Sequence, residues 1–262
     1  MRRSRLRALG LALALVLLPA AQAAQLKEDR GFAVDLDSGR PLYEEQHLLR
    51  RNGAGRLEER LVLYRCTDGT PFARKQVDYR GSASAPAFQF EDARSGYREG
   101  LRREGDVASV FVVRPQAEKR EAPLPPGELV ADAGFDQWVR AAWPRLAGGE
   151  SVPMRFLVPS RLDSFGFRVA EVPGDTAADG AARRFRLRLG GLLGWFAPHI
   201  DVVYAEADRR LLRFEGLSNL RDDAGVRPLK VRIEFPQAPR PAEPGAWERL
   251  AAEPLKPCRV QG

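Results

Sequence analysis

The chain has 262 residues, with 42 Lys and Arg against 35 Asp and Glu, and only two His and two Cys. So few His and Cys exclude a histidine- or cysteine-rich metal centre and a dense disulfide scaffold. The net charge of +7 is the remaining global feature, and its origin is local.

Met1 to Arg7 reads MRRSRLR, four arginines and no acid. An apolar run from Ala8 to Leu18 follows, then the small-x-small pattern Ala21-Gln22-Ala23. This is the grammar of a secretory signal peptide over residues 1–23, cleaved before Ala24. Cleavage removes four arginines and no acid, so the +7 falls to +3. A polyanion-binding protein loses its basis, and nucleic acid is not an expected partner. The expected location is the periplasm. No later apolar stretch approaches the ~20 residues of a transmembrane helix.

Alternation of apolar and polar residues dominates the rest, with turn signals every 8–15 residues, as in an antiparallel β protein. Phe32, Val34 and Leu36 alternate up to an Asp37-Ser38-Gly39 turn. Leu42 to Leu49 reads as a polar strand at an edge or exposed. Leu57 to Cys66 and Phe72 to Tyr79 form a hairpin across Thr67–Pro71. Phe88–Phe90 and Tyr97–Leu101 make a second pair. Val107 to Val113 is apolar on both faces and is placed in the middle of the sheet. Pro115 to Glu128 holds four prolines and reads as a solvated connector.

One amphipathic helix follows, about Asp132 to Leu146. Asp132 is its candidate N-cap. Phe135, Val139, Ala142, Trp143 and Leu146 share one face, and Pro144 followed by Gly148-Gly149 should end it. A second β block then runs through Phe165, Phe167 and Val169; Phe185, Leu187 and Leu189; Ile200, Val202 and Tyr204; Leu212 and Phe214; and Leu229 to Phe235. Residues 24–236 are expected to form one antiparallel domain of about twelve strands, an open curved half-barrel around the helix, here placed after the seventh strand. Residues 237–262 are a Pro-rich tail in which Trp247 can anchor a short helical turn.

The hairpin IDVVYAEADRRLLRFEG and the overall order of elements resemble the periplasmic lipoprotein-carrier (LolA/LolB-like) half-barrel superfamily. The stretch from VPSRLDSFGFRV to LGGLLGWFAPHIDVVY also looks like an uncharacterised family of exported bacterial proteins. The carrier resemblance implies a concave face that holds acyl chains under a helical lid. No functional residue carries over.

Catalytic motifs are absent: no GxSxG, HExxH, Walker A loop, CxxC or GxGxxG, so no catalytic residue, metal or cofactor is assigned. Two readings stay open for the inward row of Phe165, Phe167, Phe185, Leu187, Tyr204 and Phe214, with Trp138 and Trp143 on the helix. It is either filled core or the lining of an apolar pocket. Trp195 and Phe196 lie in the uncharged segment LGGLLGWFAPHI, which must pack on the core, meet a partner or line that pocket. The outward arginines 168, 184, 186, 188, 213 and 232 read as a salt-bridged outer face or a surface for anionic head groups. Cys66 and Cys258 are either bonded, as export permits, or two free thiols.

The favoured function is non-catalytic binding or carriage of a lipid or acyl chain. A structural or interaction protein of the cell envelope, with an envelope protein as partner, is the first alternative. A hydrolase using paired carboxylates is the second.

Overall fold

The computed structural model describes residues 25–105, 107–173, 181–191 and 198–260. The proposed signal peptide lies outside the described residues. So do Trp195 and Phe196.

The first meander is β1 (Gln25–Asp35), β2 (Pro41–Arg51), β3 (Leu57–Cys66), β4 (Pro71–Asp78), β5 (Ala87–Asp92), β6 (Tyr97–Glu104), β7 (Val107–Val113) and β8 (Arg120–Leu124). A 3-10 turn at Asp132–Gly134 leads into α1 (Phe135–Ala147). The second meander is β9 (Val152–Val158), β10 (Asp163–Val172), β11 (Ala182–Leu189), β12 (Ile200–Ala205), β13 (Leu211–Arg221) and β14 (Pro228–Glu234). A two-residue β15 (Arg240–Pro241) and α2 (Ala246–Ala252) end the described chain.

All these strands belong to one antiparallel sheet. Its order runs from β8 back to β1, then from β14 back to β9. The two meanders meet at β1 and β14, with Phe32 opposite Glu234 and Asp35 opposite Val231. Gly31 marks this junction: a Cβ there would come within 2.7 Å of the Phe235 ring. The free edges are β8 and β9, which the α1 crossover joins. The sheet is open and strongly curved, so Leu157 of β9 packs with Leu49, Leu57, Val77 and Leu101 of the other meander.

The gap between the edges is bridged by connector, not by strand pairing. The Val130 N–H donates to Arg155 O (2.9 Å), and the Leu157 N–H donates to Val130 O (2.8 Å). Ala131 N–H reaches Ser84 O at 2.9 Å. At one end the β13–β14 hairpin closes on the β5–β6 turn through Arg94. Arg94 and Asp92 are both buried and paired at 2.6 Å, and Arg94 also reaches Asp223 at 3.0 Å.

α1 buries Phe135, Val139, Trp143 and Leu146 against Met154, Val169, Phe185 and Tyr204 of the second meander. Several sequence expectations need correction. Pro144 lies inside α1. It forfeits one backbone bond, but the fully buried Leu146 extends the packed face, and the turn closes at Gly149 with φ +85°. Asp132 caps nothing; its carboxylate pairs with Lys75, and α1 starts from Gly134 without a side-chain cap.

The connector expectation for 115–128 misses β8, an edge strand whose Pro123 is opposite Ser109; edges tolerate proline. As a result α1 follows the eighth strand, and Val107–Val113 is second from an edge, not central. The expectation of an exposed strand at Leu42–Leu49 also fails. Both faces of β2 are covered, because α2 packs Ala246 and Leu250 on Leu48, Leu61 and Leu63. Cys66 and Cys258 are joined in a disulfide that holds the tail to β3. Arg65 adds two hydrogen bonds to Glu253, at 2.8 and 2.7 Å.

Candidate functional site

Curvature leaves a cavity of about 430 Å³ between the sheet, α1 and the β9 edge. That is within the roughly 300–1,000 Å³ of small-molecule pockets. Strand alternation decides what faces it, and the two meanders contribute differently.

The second meander supplies an apolar wall. Phe156, Phe167, Leu187, Ile200, Val202 and Phe214 line the cavity, with Ile233 and Phe235 at the junction. The Phe156 and Phe167 rings meet edge to face at 5.8 Å. Tyr204 stands where this wall reaches α1, its ring 6.0 Å from that of Trp143.

The first meander supplies an ionisable wall. Register places Asp29 opposite His47, Glu45 opposite Tyr64, and Val62 opposite Lys75, all on the inward face. Glu99 follows two strands further on. The 3-10 turn adds Asp132, and α1 adds Asp136 and Arg140. Most of these groups are partnered. His47 Nε2 lies 2.9 Å from Glu45, Lys75 pairs with Asp132, and Arg140 donates to Asp136 at 3.2 Å. The Tyr97 hydroxyl donates to Glu99 at 2.6 Å.

Burial raises the Glu99 pKa against the opposing hydrogen bond from Tyr97 and the charge of Lys75. Burial likewise raises that of Asp29, against the neighbouring His47 and Arg60.

The residues expected from sequence divide into groups. Phe167, Leu187, Tyr204 and Phe214 line the cavity. Phe185 and Trp143 do not; their rings pack at 5.3 Å in the core beneath the helix. Trp138 is partly buried and does not line the cavity itself; it stacks at 6.2 Å on Phe135, which does. Phe165 lies opposite Phe156 near the strand end, exposed and outside the lining. Trp195 and Phe196 fall outside the described residues.

Sequence reading missed the ionisable wall. Its signal is a charge at an inward position between two larger or apolar ones: Glu45 after Tyr43, Lys75 between Ala73 and Val77, Glu99 between Tyr97 and Leu101. Four of the six outward arginines meet acids, while Arg168 donates to Ser151. Arg184 and Arg186 both bond Asp201, Arg213 pairs with Glu215, and Arg232 with Glu234.

Among the described residues no cluster of His, Cys, Asp and Glu is placed to hold a metal ion. None of their helices is long and apolar enough to cross a membrane. No family model and no curated protein matches the chain. Among solved structures, the chain is similar to a β-barrel-like protein of a Domain of Unknown Function, DUF1849, from Brucella abortus. It is 11% identical, with a TM-score of 0.40, over 86% of this chain and 100% of that one. At that score the likeness carries no argument about function.

Proposed function

We propose that the protein is a non-catalytic, periplasmic binder or carrier of an amphiphile whose apolar chain lies in the interior cavity. The observation that carries this reading is the continuous apolar wall from Phe156 to Phe214 along a cavity of about 430 Å³. Burying an alkyl chain there gains about 0.8 kcal/mol per methylene. The carrier-like half-barrel reading agrees with this placement, and the cavity favours it over the alternative of a filled core.

A carboxylate-pair hydrolase needs two acids converging on one point. Glu45, Glu99, Asp132 and Asp136 are instead held by different partners: His47, Tyr97, Lys75 and Arg140.

The test is titration of the delipidated chain with a fluorescent fatty acid. Saturable binding is expected, weakened about tenfold when Phe167 and Phe214 are both changed to Ser, a loss near 1.4 kcal/mol. Absence of binding by the wild type sinks the proposal.

A further inference from the structure

The polar groups around the cavity are not equally satisfied. Lys75 has Asp132, and His47 has Glu45. Arg210 is held by the carbonyls of Phe235 and Gln237, at 2.9 and 3.2 Å. Arg221 donates to Val226 O at 2.6 Å and lies over the Tyr97 ring.

Arg221 Nε and Asn219 Nδ2 are left without partners one at a time, whereas three guanidinium groups gather at the corner where β2, β3 and α1 meet. Arg51 comes from the end of β2, and Arg60 lies opposite Leu49 on the same inward face. Arg140 descends from the helix, and all three line the cavity. One carboxylate serves the group. Asp136 Oδ2 accepts from Arg140 Nε at 3.2 Å and lies 3.9 Å from Arg60 Nη2.

The buried Nε of Arg60 has no partner, and the guanidinium's contacts are the Asp136 carboxylate at 3.9 Å and the Tyr79 ring, 5.9 Å away. Arg51 donates only to the Gly55 carbonyl, at 3.0 Å. A guanidinium offers five donors, and leaving them unmade in a buried place costs more than a hydrogen bond normally gains. Burial, and then the charges of Arg140 and Arg60, lower the Arg51 pKa. Burial opposes the charge on Arg60, but Tyr79, Asp136, Asp29 and Asp132 together raise its pKa; of these acids Asp132 is held by Lys75, and burial favours the neutral form of Asp29.

The corner therefore has an excess of positive charge and of donors, and an oxyanion can bridge them with paired N–H bonds. It also adjoins the apolar wall: burial, with the nearby Asp136, pushes the Tyr204 pKa well up.

We propose that the ligand ends in an anionic head group, a carboxylate or phosphate, received by Arg51, Arg60 and Arg140. This rests on the cavity-binding reading above, and it adds a charge preference that a purely apolar carrier would lack.

The experiment uses calorimetric titration of the delipidated protein with laurate, dodecanol and dodecylamine, and with dodecyl phosphate for the second oxyanion. Dodecylamine is included because Asp136 Oδ1 is a buried acceptor without a donor. Laurate or dodecyl phosphate should bind about tenfold tighter than dodecanol, a difference of about 1.4 kcal/mol. The relative affinity of the two anions identifies the head group. R60Q should erase most of that preference, lowering affinity for the anions by several-fold more than affinity for dodecanol.

Equal binding of the alcohol and the anions, or tighter binding of the amine, overturns the head-group proposal and leaves the cavity reading standing. No binding of any amphiphile overturns the cavity reading itself. If R60Q does not fold, R140Q takes its place, and the wild-type series alone still decides the charge preference.

Discussion

The two meanders use the same alternation of residues to opposite ends. In the second, charge sits on the outer face and the inner face is apolar: Arg186 pairs outward with Asp201 while Phe185 and Leu187 point inward. In the first, the outer face of β2 and β3 is apolar where α2 covers it, and the inner face carries Asp29, Glu45, Arg60 and Lys75. Buried charges cost solvation unless they are paired. A chain needing only stability would gain by making the first wall apolar too. The asymmetry is understandable if the interior must hold a molecule with two different ends.

The largest effect should come from separating core from cavity within the second meander. Phe185 is fully buried between Trp143 and Tyr204. F185A should lose about 3–5 kcal/mol, as large-to-small core changes do. Phe214 already borders the cavity, so F214A opens little new void and should cost roughly half of that or less. Only F214A should weaken amphiphile binding in the refolded fraction. Denaturant melts and probe titration on the same samples check this. Equal destabilisation by the two changes would mean that the apolar wall is ordinary core.

A smaller effect is expected on the outer face. Asp201 is nearly buried, while Arg184 and Arg186 are about one-fifth exposed. Removing one partner of a fully buried pair costs about 3–5 kcal/mol. Solvent around the arginines screens this pair, so D201N should lose about 1–3 kcal/mol and leave binding untouched. A change in amphiphile affinity in D201N would break the division between an outer structural face and an inner binding face.

The second meander was readable from sequence because its strands obey a strict two-residue period: Phe185, Leu187 and Leu189 inward, Arg184, Arg186 and Arg188 outward. The helix was legible for the same reason at its own period. The first meander was not, because burial there is set by partners distant in sequence. Leu42 to Leu49 looks like a solvated strand until α2, some 200 residues later, covers Leu48. Lys75 and Glu99 look like interruptions of a pattern until the fold brings Asp132, in the turn before α1, to Lys75 and seals Glu99 beside Tyr97. Residue order alone also cannot say which apolar residues touch a void: Phe185 and Phe167 are equivalent by alternation, and only the position of Trp143 makes one core and the other lining. β8 was hidden by its prolines, which an edge strand accommodates.

The smallest effect is a difference in sign between the two walls. Burial acts to raise the pKa of Asp201, but hydrogen bonds from Arg186 and Arg184 outweigh it and hold the carboxyl below its usual range. Its stabilising contribution is present at neutral pH and is lost as pH falls through the folded-state pKa. Glu99 behaves in the opposite way. Burial raises its pKa despite the Tyr97 hydrogen bond and the charges of Lys75 and Arg221, with Asp132 adding to the rise. The unfolded chain therefore releases the Glu99 proton first, and stability declines as pH rises from the ordinary glutamate pKa, about 4.3, through the folded-state value. Glutamine does not titrate and still offers an oxygen to the Tyr97 hydroxyl. The stability of E99Q relative to wild type should therefore increase with pH over that window and then level off. The same comparison for D201N should show its deficit shrinking as pH falls. Thermal melts of the three proteins across the acid range measure both slopes. Parallel wild-type and E99Q curves would mean that Glu99 is ionised in the fold as easily as in water, and that the inner wall of the first meander is not held at a cost.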